Sequence, residues 1–168
     1  MSEDVFKAIR KKFLNWVKGS LREDVAFIKE WSKEVKERAN KIAMENLPII
    51  RAFVENQSDV FKASAIASII ANTFDYGVMG HEVEDENFLT FFISEFKRGL
   101  RIDDLDEVRE LCSGKVCYLT DNCGEIVVDT LFMKEIKKIC ERITVVVRGR
   151  PIISDATLED ALNVGIDK

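Results

Sequence analysis

The sequence predicts an α+β to α/β protein: a helical amino-terminal part, residues 1–112, followed by the beginning of a parallel, Rossmann-like sheet in a partial α/β part, residues 113–168. Apolar residues recur at helical spacing as far as Leu111, and at Gly114 the period changes to short β-type runs. A helical stretch of about 16 residues separates two such runs, which suits a crossover between parallel strands.

Composition narrows the function classes. A chain of 168 residues with 46% hydrophobic content can bury a core. Charged residues make up 33% with a net charge of -5, so no surplus of positive charge is available to neutralise nucleic acid or an anionic membrane. A small or anionic ligand held by local features is expected instead. Cys112, Cys117, Cys123 and Cys140 never form Cys-x-x-Cys, and with a single histidine they make a poor zinc framework; they read as reduced thiols. Met1 to Lys18 lacks the apolar run of a signal peptide, and Ala63 to Ala71 is about half a membrane span, so the expected location is cytoplasmic.

The elements follow in order. Val5, Ile9, Phe13 and Val17 place an apolar stripe on a first helix. Ser20 and Glu23 have capping-box spacing and open a second helix towards Glu45, with Val25, Ile28, Trp31, Val35 and Ala39 as its buried stripe; Pro48 is expected to interrupt it. Ser58 to Tyr76 is apolar on nearly every side, which describes a central buried helix, with Gly77 and Gly80 suited to the turn beyond it. Helices are expected at Glu86 to Arg98 and Asp104 to Leu111. Lys115 to Thr120 and Ile143 to Arg148 read as strands around a helix over Gly124 to Glu141. The second strand is almost wholly apolar, so both sheet faces are expected to be covered. The runs Lys33 to Arg38 and Lys134 to Lys138 read as solvated helix faces.

The chemistry concentrates where the strands end. Asp121-Asn122-Cys123-Gly124-Glu125 follows the first strand, at the carboxyl edge where open α/β sheets bind ligands. Asp121 and Asn122 offer hard oxygen donors to a divalent cation, and the helix beyond Gly124 offers N–H groups to an anion. The segment after the second strand, from Arg148 to Thr157, returns Asp155 to the same edge, and adjacent strands lie only about 5 Å apart. Ordinary capping is the competing account of each acidic residue, and Thr157 with Asp160 has the look of a cap.

The run from Thr120 to Asp129, followed by that from Val147 to Ala161, resembles the metal-binding core of the damage-control phosphatase family. Asn72-Thr73-Phe74-Asp75-Tyr76-Gly77 also resembles that family's Gly-Asn-x-x-Asp segment, with Ala71 in place of the first glycine. The resemblance implies a metal-dependent phosphatase acting on small phosphometabolites, sugar phosphates or damaged phosphates among them, with Mn²⁺, Co²⁺, Ni²⁺ or Mg²⁺. It implies Asp121, Asn122 and Asp155 as the metal-binding and catalytic set. A bound cation would polarise a phosphoryl oxygen and lower the pKa of an attacking water. Members of the family generally continue for about 100 residues beyond the point matching Gly165, with further strands and a phosphate-binding lysine. The amino-terminal Cys-x-x-Cys of one branch is also missing here.

Four further residues are candidates for the substrate. Asn72 and Asp75 share a helix face and can reach the pocket or simply cap. Arg148 can clamp a phosphate or pair with Glu159 or Asp160. Glu125 can bind substrate or activate water, or merely favour the first helical turn. Asp129 is expected behind the site or on the surface, Cys123 as a buried small residue, and His81 in a loop. The expected partner is a small phosphorylated metabolite, with self-association or a complementing chain left open. The rival from another class is a non-catalytic fragment or subunit that binds metal and pairs its exposed sheet edge with a second chain. A doubly wound nucleotide-binding module is weaker, because no Gly-x-Gly-x-x-Gly follows either strand.

Overall fold

The computed structural model describes residues 32–73 and 88–166. The expectations for Val5 to Val17, the Ser20 cap, Trp31, Asp75, Gly77, Gly80 and His81 lie outside them.

Helix α1 covers residues 32–55 without a break. Pro48 does not interrupt it. The ring is exposed, and Met44, whose carbonyl loses its i+4 donor, is on the wet side, where water can replace the lost bond. The buried stripe also differs from expectation: Ala39 is buried, but Val35 is half-buried and Ser32, Lys36, Asn40 and Ala43 are inside. Lys36 therefore leaves the solvated face assigned to it. Its ammonium lies 2.5 Å from Asp160 Oδ2, an ion pair that makes its burial tolerable.

Asp59 caps α2 (Val60–Asn72), its carboxylate accepting from Lys62 N at 3.0 Å. As expected, α2 is central. Ala63, Ser64, Ala67, Ser68 and Ala71 give it a small-residue surface that lets α5 (Glu125–Ile139) lie close along its length. Ile42, Ile50 and Val54 of α1, Ile70 of α2, Phe92 of α3 (Phe88–Arg98), and Val128 and Leu131 of α5 meet in one core. That core joins the helical part to the α/β part. Helix α4 (Leu105–Leu111) leads into the sheet.

Strands β1 (Lys115–Leu119) and β2 (Arg142–Val146) pair in parallel, from Lys115 opposite Arg142 to Leu119 opposite Val146. Val116, Tyr118, Ile143 and Val145 turn inward. The outward residues Cys117, Leu119, Thr144 and Val146 are exposed, Leu119 by 72%. The expectation that both faces are covered thus fails among the described residues, because the helix between the strands covers one face and nothing described covers the other. Helix α6 (Leu158–Asn163) follows; Gly165 at φ +81 ends it, with Ile166 N–H reaching back to Ala161 O.

Candidate metal and phosphate site

Parallel pairing in this register puts the ends of β1 and β2 side by side, so the segments that follow leave the sheet together. Backbone hydrogen bonds then stitch them: Thr120 N to Val146 O at 3.0 Å, Ala156 N to Asp121 O at 2.7 Å, Arg148 N to Ala156 O at 2.9 Å and Cys123 N to Ser154 O at 2.8 Å. Asn122 and Asp155 are bridge partners. Asp121, Asn122 and Asp155 are therefore brought together from two loops, as expected.

Their side chains differ in freedom. Asn122 is buried, and the Ser154 hydroxyl donates to its Oδ1 at 2.9 Å, which fixes how the amide oxygen points. Asp121 is exposed and its carboxylate makes no hydrogen bond or ion pair with a described residue. Asp155 Oδ2 accepts from Arg148 Nε at 2.5 Å. Arg148 is thus paired, but with Asp155 and not with Glu159 or Asp160. Asp160 is committed elsewhere: its Oδ2 takes both the N–H (2.8 Å) and the hydroxyl (2.6 Å) of Thr157, as well as Lys36. Burial opposes its ionisation, yet Lys36 and Thr157 hold its carboxyl below the usual range.

Glu125 joins the site to α2. Its Oε2 accepts from Asn122 N at 3.2 Å, and its Oε1 from Asn72 Nδ2 at 2.9 Å. Asn72 and Glu125, both substrate candidates, therefore meet each other beside the metal-ligand loop.

Around the amino terminus of α5, most of the N–H groups expected to meet an anion are already taken. Asn122 N–H goes to Glu125, Cys123 N–H to Ser154, and Gly124 N–H to Asn40 Oδ1 at 2.7 Å. Ile126 and Val127 N–H close on Asn122 O and Gly124 O. The loop spends these donors on its own shape.

Beneath Glu125, one turn along α5, Asp129 is buried, only 1% exposed, rather than lying at the surface. The Ser68 hydroxyl donates to its Oδ1, and the Tyr118 hydroxyl lies 3.2 Å from Ser68 Oγ. Asp129 Oδ2 has no hydrogen-bond partner among the described residues. Burial pushes this carboxyl up to about 7; the charges of Glu125 and Asp121 add to the rise, while Ser68 and Tyr118 oppose it. Cys123 is buried as expected, and burial first, with the Asp160 charge, pushes its thiol up to about 12, which makes it a poor thiolate ligand.

Sequence reasoning missed Asn40, Ser68 and Ser154 as the residues that shape this site. Asn40 alone left a visible signal, a polar side chain on the same helical face as Ala39 and Ala43.

Comparison with known proteins points to one family. A family model described as the damage-control phosphatase ARMT1-like domain matches residues 31–168. A damage-control phosphatase of Archaeoglobus fulgidus is 56% identical over 135 residues, which are 80% of this chain and 47% of that one. The damage-control phosphatase PH1575 of Pyrococcus horikoshii is 32% identical over 114 residues, 64% of this chain and 38% of that one. The crystal structure of PH1575, described as a DUF89 family protein, superposes with a TM-score of 0.64 at 26% identity, covering 82% of this chain and 46% of that one. The chain spans about half the length of these relatives, or somewhat less.

Proposed function

The chain belongs to the ARMT1-like damage-control phosphatase family, and from that premise we propose that it serves as a metal-dependent phosphatase hydrolysing phosphomonoesters of small metabolites, sugar phosphates or damaged phosphometabolites. The observation that supports this best is the stitching of the Asp121-Asn122 loop to the Asp155 loop by backbone hydrogen bonds. It gathers two carboxylates and one oriented amide oxygen at the end of the sheet.

That donor set fits a hard divalent cation. All three groups offer oxygen, Asp121 is uncommitted, and Asp155 already holds a positive charge on one oxygen. Asp121, Asn122 and Asp155 would hold Mn²⁺, Co²⁺, Ni²⁺ or Mg²⁺. Bound there, the cation supplies Lewis acidity toward a phosphoryl oxygen and toward an attacking water. Ser154 keeps Asn122 Oδ1 aimed, and Asn40 holds the loop through Gly124. Glu125, tied to Asn122 N and Asn72, acts as a brace between α2 and the loop. Arg148 supplies the fork for phosphate oxygens. Reduced thiols suit a cytoplasmic setting, and no described helix is long and apolar enough to cross a membrane.

The test is hydrolysis of p-nitrophenyl phosphate with each of the four cations in turn, against Asp121→Ala. Metal-dependent turnover lost in the variant supports the proposal; turnover that survives Asp121→Ala removes this site from it.

A second reading is favoured by the sheet. Its outward face is bare, and a groove of about 610 Å³ lined by Ile143, Val145, Val147, Leu158 and Ile166 runs beside β2. On this reading the chain binds metal but works only when a complementing chain covers these surfaces. Metal binding without turnover would favour it.

A further inference from the structure

Arg148 stands in an unusual position for a phosphate-binding residue. Its backbone is fixed, because its N–H is bonded to Ala156 O at 2.9 Å and the residue bridges to Thr157. Its side chain is 55% exposed, and it spends Nε on Asp155 Oδ2, while the other two guanidinium nitrogens have no partner among the described residues. The carboxylate it holds is one of the three groups expected to take the cation.

Building on the metal site proposed above, we infer that Arg148 and the divalent cation exchange on Asp155. The guanidinium neutralises the carboxylate while the site is unloaded, and it turns onto the phosphate when the cation takes its place. The cation and the guanidinium, both positive, repel each other at short range across one small carboxylate, so loading the cation displaces the arginine from Oδ2. The displaced fork has somewhere to go, since its paired N–H groups match two phosphate oxygens. The phosphate in turn gains from it, because the N–H groups of Asn122, Cys123 and Gly124, just ahead of α5, are spent on Glu125, Ser154 and Asn40. Asp155 and Arg148, seven residues apart, thus set an order: cation first, ester second.

Exchange gives Arg148 opposite effects on the two ligands. It competes with the cation and recruits the phosphate, whereas a residue that merely shaped the loop would support both. The experiment is calorimetry on the full chain with Mn²⁺ alone, then with inorganic phosphate added to the Mn²⁺-loaded protein, for the wild type, Arg148→Met and Arg148→Lys. Arg148→Met is expected to bind Mn²⁺ about fivefold more tightly, the scale of one partly exposed ion pair. It is expected to bind phosphate at least about tenfold more weakly, the scale of a lost charged hydrogen bond. Arg148→Lys keeps the charge without the fork, so its Mn²⁺ affinity stays near the wild type while phosphate binding still falls. Equal or weaker Mn²⁺ binding in Arg148→Met, or unchanged phosphate binding, overturns the exchange and leaves the metal site standing. Mn²⁺ binding in none of the three proteins overturns the metal site and the exchange with it.

Discussion

Gly124 shows how much of the site rests on single residues. Its φ of +87 and ψ of -58 lie where side chains are disfavoured, and an added Cβ would sit 3.3 Å from Ala39 Cβ and 3.4 Å from Ala39 O. That turn lets the loop pass from Asn122 into α5 while its N–H reaches Asn40. Gly124→Ala should therefore cost about 1–3 kcal/mol in urea unfolding, and an unchanged midpoint would count against the strained turn. Ile153, at φ +42, is the non-glycine residue of positive φ among those described, and it is β-branched; its carbonyl accepts from the Ser32 hydroxyl, which holds the Asp155 loop against α1. The residue scale was partly legible in the sequence. Asp121, Asn122, Asp155 and Gly124 stood out because two adjacent strand ends carry oxygen side chains toward one sheet edge, although capping accounts for each of them singly. Lys36 and Ile153 did not. A lysine within a charge run looks solvated until its partner Asp160, remote in sequence, is known, and nothing about an isoleucine announces a positive φ.

The elements themselves were largely readable. The apolar helix α2, the strand–helix–strand unit and the Thr157–Asp160 cap follow from local patterns, and their boundaries agree to within a few residues. What local pattern cannot supply is which faces meet. The polar seam between α2 and α5, with Asn72 on Glu125 above and Ser68 on Asp129 below, exists only once the two helices are packed. Ser68 in sequence is one more small residue on a buried helix. The seam has a pH signature. In the folded chain Asp129 is raised to about 7, above its ordinary value of 3.8. Between those values the folded state holds a proton that the unfolded state has lost, so stability from this group is greatest below about pH 4 and declines as pH rises to about 7. The decline is about 1.4 kcal/mol for each pH unit of the window. With no metal added, Asp129→Asn should flatten it, so that the variant gains on the wild type from pH 4 to 7 in denaturant titrations and the difference then levels off. A difference that does not change with pH would mean that Asp129 is ionised throughout.

For the whole molecule, the composition and the change of period at Gly114 were enough to give a helical part joined to a parallel sheet. The bare sheet face was not foreseen, because an apolar strand such as Ile143 to Val147 implies a cover without saying which chain provides it. With Leu119 72% and Val146 42% exposed, the described surface is the kind that associates. Light scattering on the isolated chain should show assembly rising with concentration, reduced by Leu119→Lys; a monomer at every concentration would mean that this face tolerates water. On the proposed function, two loops brought together by parallel strands share one divalent cation. Mn²⁺ binding, counted by electron paramagnetic resonance in the wild type, Asp121→Ala and Asp155→Ala, tests this sharing. One Mn²⁺ per chain, lost in both variants because each loop supplies a ligand, is the predicted result; full binding retained after either substitution would contradict it.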